Sequence, residues 1–124
     1  MENVVKGQVT FRNIAPIFYV TDRKLVLDYY KRLGFWCDYD MGFVEWNGIG
    51  FIVHERQTIP ATPNNPTFGN KVLDAFVMVS NIDDLFTLFK FKEAMFLYEL
   101  KTNEYNMREF AIKDPAGFTI GFGQ

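Results

Sequence analysis

Few side chains in this sequence could do acid–base or nucleophilic chemistry. His54 is the only histidine and Cys37 the only cysteine. His54 could act as a general base with Glu55 or Glu109, but no nucleophile or second base stands at a recognisable spacing from it. Cys37 lies between aromatic residues in "FWCDYD", a setting that favours an inert, packed thiol over a reactive one. We therefore name no catalytic residue, and whether the protein is an enzyme stays open at this point.

Composition and charge narrow the classes of protein. The 124 residues are 48% apolar and 18% aromatic, which is typical of a folded domain and excludes a disordered chain. Thirteen basic and fifteen acidic side chains give a net charge of -2 without a basic cluster, so nucleic acid is not expected as a partner. Charged residues interrupt the long apolar runs, so no membrane span is expected. The N-terminal "MENVVKGQVTF" lacks the apolar region of a signal peptide, and we expect a cytoplasmic protein.

The first half of the chain predicts a strand, a helix and three further strands. The strand "NIAPIFYV" precedes a helix in "TDRKLVLDYYKRLG", with Asp22 as its N-cap and Gly34 at its end. Apolar residues recur along this helix at the spacing of one buried stripe. Three strand-like segments with two Gly-containing hairpin signals between them follow. The segments are "FWCDYD", "GFVEW" and "GFIVHE", and the hairpin signals are Met41-Gly42 and Asn47-Gly48.

The same order of elements recurs in the second half, after a Pro-rich connection over residues 57–72. An offset of 59 residues carries Val20 to Val79 and Tyr29 to Leu88, so the two helix starts and their apolar stripes are in register. The second-half segments are the strand "LDAFVMVSN", the helix "IDDLFTLFKFKEA" and the strands "MFLYELK", "MREFAIK" and "FTIGFG".

Two equal βαβββ modules predict the fold class. We expect a single domain, residues 1–124, with modules at 13–56 and 73–123 joined by the connection 57–72. An α+β fold follows, in which a curved mixed sheet carries its helices on the convex side and leaves a concavity on the other. The last strand follows an Asp-Pro-x-Gly turn and has Gly121 and Gly123 on one face, where a pocket-lining strand would carry side chains.

Four stretches of the chain resemble one superfamily. They are "APIFYVTD", "LDYYKRLGF", "VMVSNIDDLFTLF" and "REFAIKDPAGFTIGF". With two βαβββ halves in this order, residues 13 to 123 resemble the vicinal oxygen chelate superfamily. It includes glyoxalase I, extradiol dioxygenases, fosfomycin resistance enzymes and bleomycin resistance proteins. The resemblance is fairly specific for the fold and implies little about the reaction.

The resemblance also implies where a metal ion would be held. In metal-dependent members, four side chains on the concave face bind one divalent ion, two from each module. Motif for motif, the four stations fall on Ala15, Ile52, Asp74 and Gly121. Only Asp74 could serve as a ligand, whereas a divalent ion needs three or more. A displaced site built from Asp74, His54 and Glu109 is the alternative.

Three empty stations favour the metal-free branch, which the bleomycin resistance proteins exemplify. The run "YYKRLGF" and the first-strand Ala15-Pro16-Ile17 are similar to that branch. There two chains pair, and the clefts between them hold a bulky aromatic, often cationic, compound without changing it. The resemblance therefore implies no cofactor, a small-molecule ligand, a homodimer and a role of the antibiotic-resistance type.

Strand alternation from the four stations predicts which side chains face the cleft. On the concave face we expect Ile17, Tyr19, Ile52, His54, Phe76, Met78 and Thr119. On the helix side we expect Phe18, Val20, Phe51, Val53, Val77, Val79, Ile120 and Phe122. The ligand-binding residues we propose are Tyr19, Phe43, Trp46, Ile52, His54, Asp74, Phe76, Met78, Glu109 and Gly121. Tyr105, near a hairpin, is a further ring that could stack on a ligand.

Within this set, Asp74 and Glu109 would supply negative charge for a cationic guest. Gly121 and Gly123 would leave the floor of the cleft open, or let a partner chain approach closely. Two other functions remain open. One is a lyase, isomerase or dioxygenase that uses a divalent metal. The other is an interaction domain whose cleft is filled by its own aromatic side chains or by the Pro-rich connection.

Overall fold

The computed structural model describes residues 7–58 and 73–124 and contains two βαβββ modules. Module 1 (residues 13–56) contains β1 (Ile17–Val20), α1 (Arg23–Leu33), β2 (Trp36–Cys37), β3 (Phe43–Trp46) and β4 (Ile49–Glu55). Module 2 (residues 73–123) contains β5 (Ala75–Met78), α2 (Ile82–Phe91), β6 (Met95–Thr102), β7 (Arg108–Lys113) and β8 (Thr119–Gly123). The α+β class and the repeated order of elements are confirmed. Apart from residues 57 and 58, the Pro-rich connection lies outside the described residues, as do residues 1–6 of the N-terminus.

Each module forms its own four-stranded sheet, and the two sheets have the same topology. The strand orders are β1-β4-β3-β2 and β5-β8-β7-β6. In each module the first strand runs parallel to the last one, and the other pairs are antiparallel. Among the described residues no strand pairing joins the two sheets. The mixed sheet expected from the repeat is therefore present as two half-sheets.

The helix in module 1 has the predicted ends. Asp22 accepts a hydrogen bond from the backbone N–H of Leu25 at 3.1 Å, which satisfies one of the free donors of the first turn. Gly34 ends the helix in the left-handed conformation, at φ 119°. Four residues of the predicted apolar stripe are buried, namely Val26, Tyr29, Tyr30 and Leu33. The fifth, Leu25, is 53% exposed, and Leu27 is buried instead.

The helix in module 2 begins differently. Asn81, the counterpart of Asp22, has a φ of 55° and its side chain makes no capping hydrogen bond. The N–H of Ile82 is instead bound by Oε1 of Gln124, at 2.9 Å. The matching positions therefore do not carry matching caps, because an N-cap residue usually has an extended backbone and Asn81 has the left-handed one.

Both modules contribute to one hydrophobic core. The rings of Phe18 and Phe118 stack at 4.3 Å, and Phe35 of module 1 lies 6.2 Å from Phe89 of module 2. The Tyr30 hydroxyl on α1 donates to the carboxylate of Asp114 at 2.8 Å, where Asp114 begins the turn before β8. The helices and the helix sides of both sheets face this shared core. The opposite face of each sheet therefore points outward.

Strand alternation accounts for which side chains enter the core. The eight residues expected on the helix side are all buried or half-buried. Ile17, Phe76 and Met78, expected on the other side, are exposed by 45%, 40% and 65%. Such exposure is high for side chains of this size and marks two outward apolar faces.

Candidate functional site

The outer face of module 1 is an apolar row followed by a polar one. Register places Ile17 beside Ile52, and Ile52 beside Phe43, so these three side chains cross β1, β4 and β3 as one row. Tyr19 and His54 form the next row toward the ends of β1 and β4. We use "outer face of module 1" for the side chains of Ile17, Tyr19, Phe43, Ile52 and His54. Except for Ile17, all of these are half-buried.

The polar row continues into an arginine. The Tyr19 and His54 rings meet edge to face at 5.8 Å, and the guanidinium of Arg56 lies 5.0 Å from the centre of the Tyr19 ring. Arg56 follows His54 by two residues and shares its face, while its N–H binds the carbonyl of Val20 at 2.8 Å. A phenol, an imidazole and a guanidinium thus stand together at one end of this face.

The outer face of module 2 contains the feature that the sequence left unexplained, the two glycines of β8. Because β5 runs parallel to β8 with Phe76 directly opposite Gly121, the Phe76 ring lies across both glycines. A Cβ added at Gly121 would lie 2.7 Å from this ring and 2.6 Å from Leu73. At Gly123 it would lie 2.5 Å from the same ring and 3.0 Å from Sδ of Met107. We had expected the glycines to leave the floor of the cleft open. Instead the Phe76 ring covers the floor, and it fits there because the two glycines have no side chains.

Asp74 is engaged by the neighbouring strand. Its carboxylate accepts hydrogen bonds from the backbone N–H of Thr119 at 2.9 Å and from the Thr119 hydroxyl at 3.2 Å. Its own N–H donates to the Thr119 carbonyl at 2.9 Å. These bonds join the start of β5 to the start of β8, which gives Asp74 a structural role at the edge of the outer face.

Glu109 lies on the same face and also has local partners. It stands opposite Lys101 in the ladder between β6 and β7, and its carboxylate lies near the hydroxyl of Tyr98. The ammonium of Lys101 lies 4.2 Å from the centre of the Tyr98 ring. Burial, followed by the negative charge of Glu109, raises the pKa of Tyr98 to about 12. Glu109 thus has a phenol and a cross-strand lysine as neighbours.

Two of the predicted cleft rings lie elsewhere. Trp46 follows the buried Val44 by two residues along β3, so both side chains lie on the helix side of the sheet. Its ring is 5.2 Å from that of Phe35 and 6.2 Å from that of Phe89, within the shared core. Tyr105 is 82% exposed in the turn between β6 and β7, beside an open groove of about 340 Å³. Trp46 was assigned to the wrong side because we used its closeness to a hairpin instead of strand alternation.

Cys37 is half-buried among core residues. Its thiol lies 3.6 Å from the carbonyl of Leu27 on α1. Burial raises the pKa of the Cys37 thiol to about 11, which keeps it protonated at neutral pH. This favours the inert thiol over the reactive one.

The residues at the four stations do not fit a divalent metal ion. Ala15 and Ile52 carry no donor atoms, and the space beside Gly121 holds the Phe76 ring. The described residues contain no group of three or more His, Cys, Asp or Glu side chains placed to hold a metal. The displaced arrangement of Asp74, His54 and Glu109 is thus not assembled. Asp74 and Glu109 also have the local partners described above.

Sequence reasoning missed Arg56, Tyr98 and Lys101. Arg56 was detectable, because alternation continued two residues past His54 places it on the same face. Tyr98 and Lys101 were not detectable, because irregular pairing shifts the register between β6 and β7 at both residues.

One further finding concerns membranes. Within the described residues, no helix combines the length and apolarity needed to cross a bilayer.

Comparison with known proteins gives a result for the fold. No protein-family model and no curated protein sequence matches this chain. Among solved structures, TioX from Micromonospora sp. ML1 superposes with a TM-score of 0.66 at 17% identity, covering 90% of this chain and 97% of TioX. A glyoxalase-related enzyme from Clostridium phytofermentans gives 0.67 at 17% identity, with 93% and 95% covered.

A third structure carries the broadest description of the three. The glyoxalase/bleomycin resistance protein/dioxygenase from Alicyclobacillus acidocaldarius gives a TM-score of 0.63 at 16% identity, with 93% of each chain covered. At such identities the likeness concerns the fold, which agrees with the motifs "LDYYKRLGF" and "REFAIKDPAGFTIGF". The chain therefore has the glyoxalase/bleomycin resistance fold.

Proposed function

We propose that this protein is a metal-free homodimer that binds an apolar or aromatic small molecule and sequesters it without changing it. The observation that carries the proposal is the Phe76 ring packed on Gly121 and Gly123. At the station where the resemblance implies a metal ligand, the chain has an aromatic surface instead. One side of the ring covers the glycines, and 40% of Phe76 remains exposed.

The outer faces support a binding role. Phe76 and Met78 on module 2, with Ile17, Ile52 and Phe43 on module 1, offer apolar and aromatic surface of the kind that lines small-molecule pockets. A planar ring stacked on Phe76 would gain about 0.5–1.5 kcal/mol beyond the burial of its area. No arrangement of acid, base and nucleophile accompanies these residues in the described part of the chain, which favours binding over turnover.

The dimer follows from the direction of the two faces. Since both helix sides face one shared core, the outer faces of a single chain point away from it and are not opposed to each other. Pairing of two chains, which the resemblance implies, would set outer faces of one copy against outer faces of the other and close clefts between them. A twofold dimer would then have two equivalent clefts. Cytoplasmic location and a protective role against a toxic compound stay predictions within this proposal.

The proposal is tested by mass and by ligand binding. Light scattering at 50 μM should give the mass of two chains. Titration of a panel of planar aromatic compounds, followed by NMR and mass spectrometry, should find a compound that binds and is recovered unchanged. Phe76→Ala should weaken that binding about fivefold or more, which corresponds to the loss of about 1 kcal/mol of stacking.

A matched control is available on helix α2. Phe91 is 78% exposed and lies outside both outer faces, so Phe91→Ala removes an equal ring without touching the cleft. Equal effects of the two substitutions would contradict the proposal. So would conversion of the ligand to a product, or a monomer that binds nothing in the panel.

A further inference from the structure

We propose that Tyr19, His54 and Arg56 form an anion-binding subsite at the end of the module 1 outer face. The ligand of the cleft would then be an aromatic or apolar compound with an acidic group, such as a carboxylate. The inference rests on the proposed small-molecule binding and adds the chemical class of the ligand. It also replaces the expectation of a cationic guest, which relied on Asp74 and Glu109.

The geometry of the three side chains suits an anion. Tyr19 and His54 are cross-strand neighbours whose rings meet at 5.8 Å, and the Arg56 guanidinium lies 5.0 Å from the Tyr19 ring. All three project from the same face, and His54 and Arg56 lie within about 6 Å of the Tyr19 ring, close enough to contact one ligand. A guanidinium offers two parallel N–H donors to a carboxylate, and a phenol or an imidazole N–H can supply another.

The charges beside the cluster favour an anion over a cation. Glu45, which also projects from this face, stands opposite Gly50, four residues from His54 along β4. None of the ion pairs within residues 7–58 and 73–124 involves Arg56 or His54. Glu55, the adjacent carboxylate, accepts from the backbone N–H of Arg23 at 2.8 Å and projects to the other side of the strand. In module 2, by contrast, the carboxylate of Asp74 is hydrogen-bonded to Thr119, and Glu109 stands opposite Lys101 in the strand ladder.

The position of the cluster sets the shape of the ligand. The apolar row of Ile17, Ile52 and Phe43 is two residues away along the strands, a distance of about 7 Å. A compound with its ring on this row would therefore place a carboxylate attached directly or through one carbon near Arg56. The subsite thus predicts a small aromatic acid and not an extended cation.

The experiment uses three naphthalene probes that share a ring and differ in charge: 2-naphthoate, 2-naphthamide and 2-naphthylmethylammonium. Their binding to the full chain is measured by NMR titration at pH 7.5. We expect 2-naphthoate to bind about tenfold more tightly than 2-naphthamide, since hydrogen bonds to a charged group contribute roughly that factor, and the ammonium probe to bind most weakly. Arg56→Gln should reduce the preference for naphthoate to within twofold.

Arg108→Gln is the control, because it removes one positive charge at a place that lies outside the subsite. Arg108 pairs with Asp83 of α2 at 2.7 Å, and its loss should leave the preference for naphthoate unchanged. Equal binding of naphthoate and naphthamide, or an equal effect of both substitutions, would overturn the anion subsite and leave the proposed function standing. Absence of binding by all three probes would count against the proposed function itself and against the subsite with it.

Discussion

The two modules share a topology but differ at one corresponding position of their outer faces, which is Ile52 in module 1 and Gly121 in module 2. In module 1 the station Ile52 carries an ordinary half-buried side chain within an apolar row, and a polar cluster follows it. In module 2 the station Gly121 carries none, and the neighbouring strand fills the space with Phe76. Corresponding positions of the two modules therefore hold either a side chain that projects from the outer face or a gap that a neighbouring strand fills.

This difference matters because only one of the stations can still be changed at low cost. A side chain at position 52 has space toward the outer face, whereas any Cβ at position 121 must move the Phe76 ring or Leu73. Close packing of this kind makes a single added carbon expensive. The second module thus has a fixed aromatic surface at this position, while the first has an apolar row that ends in the polar cluster of Tyr19, His54 and Arg56.

The largest effect on stability is expected when a carboxylate is placed at position 121. Gly121→Glu should lower the free energy of unfolding by about 3 kcal/mol or more, because it overpacks the site under Phe76 and buries a charge. Ile52→Glu, at the corresponding station of module 1, should cost only about 1 kcal/mol, since that side chain is half-buried. Urea denaturation of both variants measures the comparison.

The same pair of variants can also contradict the comparison. Adding Phe76→Ala to Gly121→Glu removes the ring that the new side chain meets, so the double variant should recover part of the lost stability. If Gly121→Glu costs no more than Ile52→Glu, the Phe76 ring is not fixed on the glycines and the distinction between the modules fails.

The second-largest effect on stability concerns the buried hydrogen bond between Tyr30 of module 1 and Asp114 of module 2. Asp114 is 2% exposed and accepts hydrogen bonds from Tyr30 and from the backbone N–H groups of Ala116 and Phe118. Burial outweighs these hydrogen bonds and raises the pKa of Asp114 to about 6. The folded chain then holds a proton that the unfolded chain has already released. The stability contributed by this group is full below about pH 4 and is lost as the pH rises through 6.

We therefore expect the free energy of unfolding to fall between pH 4 and pH 7 by on the order of 2 kcal/mol through Asp114 alone. Asp114→Asn keeps the shape of the side chain and removes its titration, so the variant should lack this part of the pH dependence. Chemical denaturation of both proteins at pH 4, 5, 6 and 7 provides the measurement. Identical slopes in the two proteins would show that Asp114 titrates as an ordinary carboxylate.

The sequence was sufficient to predict the fold because its signals were local and repeated. The cap at Asp22, the left-handed Gly34 and the turn at Asn47-Gly48, with φ values of 54° and 77°, are set by a few neighbouring residues. Outward Ile17, Phe76 and Met78 followed from alternation, once the resemblance had indicated which face was which.

Which side chains occupy the outer faces could be predicted less well from the sequence, because this depends on pairing between strands that are distant in the chain. The position of Phe76 over Gly121 requires the β5–β8 register, which joins segments 45 residues apart, and no local pattern indicates it. The engagement of Asp74 by Thr119 depends on the same pairing. A glycine on a strand was therefore taken for open space, although a residue on the neighbouring strand occupied it.

The smallest effect tests whether the helix starts differ as their caps do. Asp22 caps α1 through its own side chain, so Asp22→Ala should lower the free energy of unfolding by about 1 kcal/mol. At α2 the acceptor is the side chain of Gln124, 42 residues away in the chain, which must be held in place by the end of β8. Gln124→Ala should cost only about 0.5 kcal/mol, because an exposed glutamine side chain loses rotamer entropy when it is fixed. Urea denaturation resolves the two values if they differ by the expected factor. Equal costs would mean that a distant acceptor caps this helix as well as a local one, and the two modules would then be alike at their helix starts despite their different sequences.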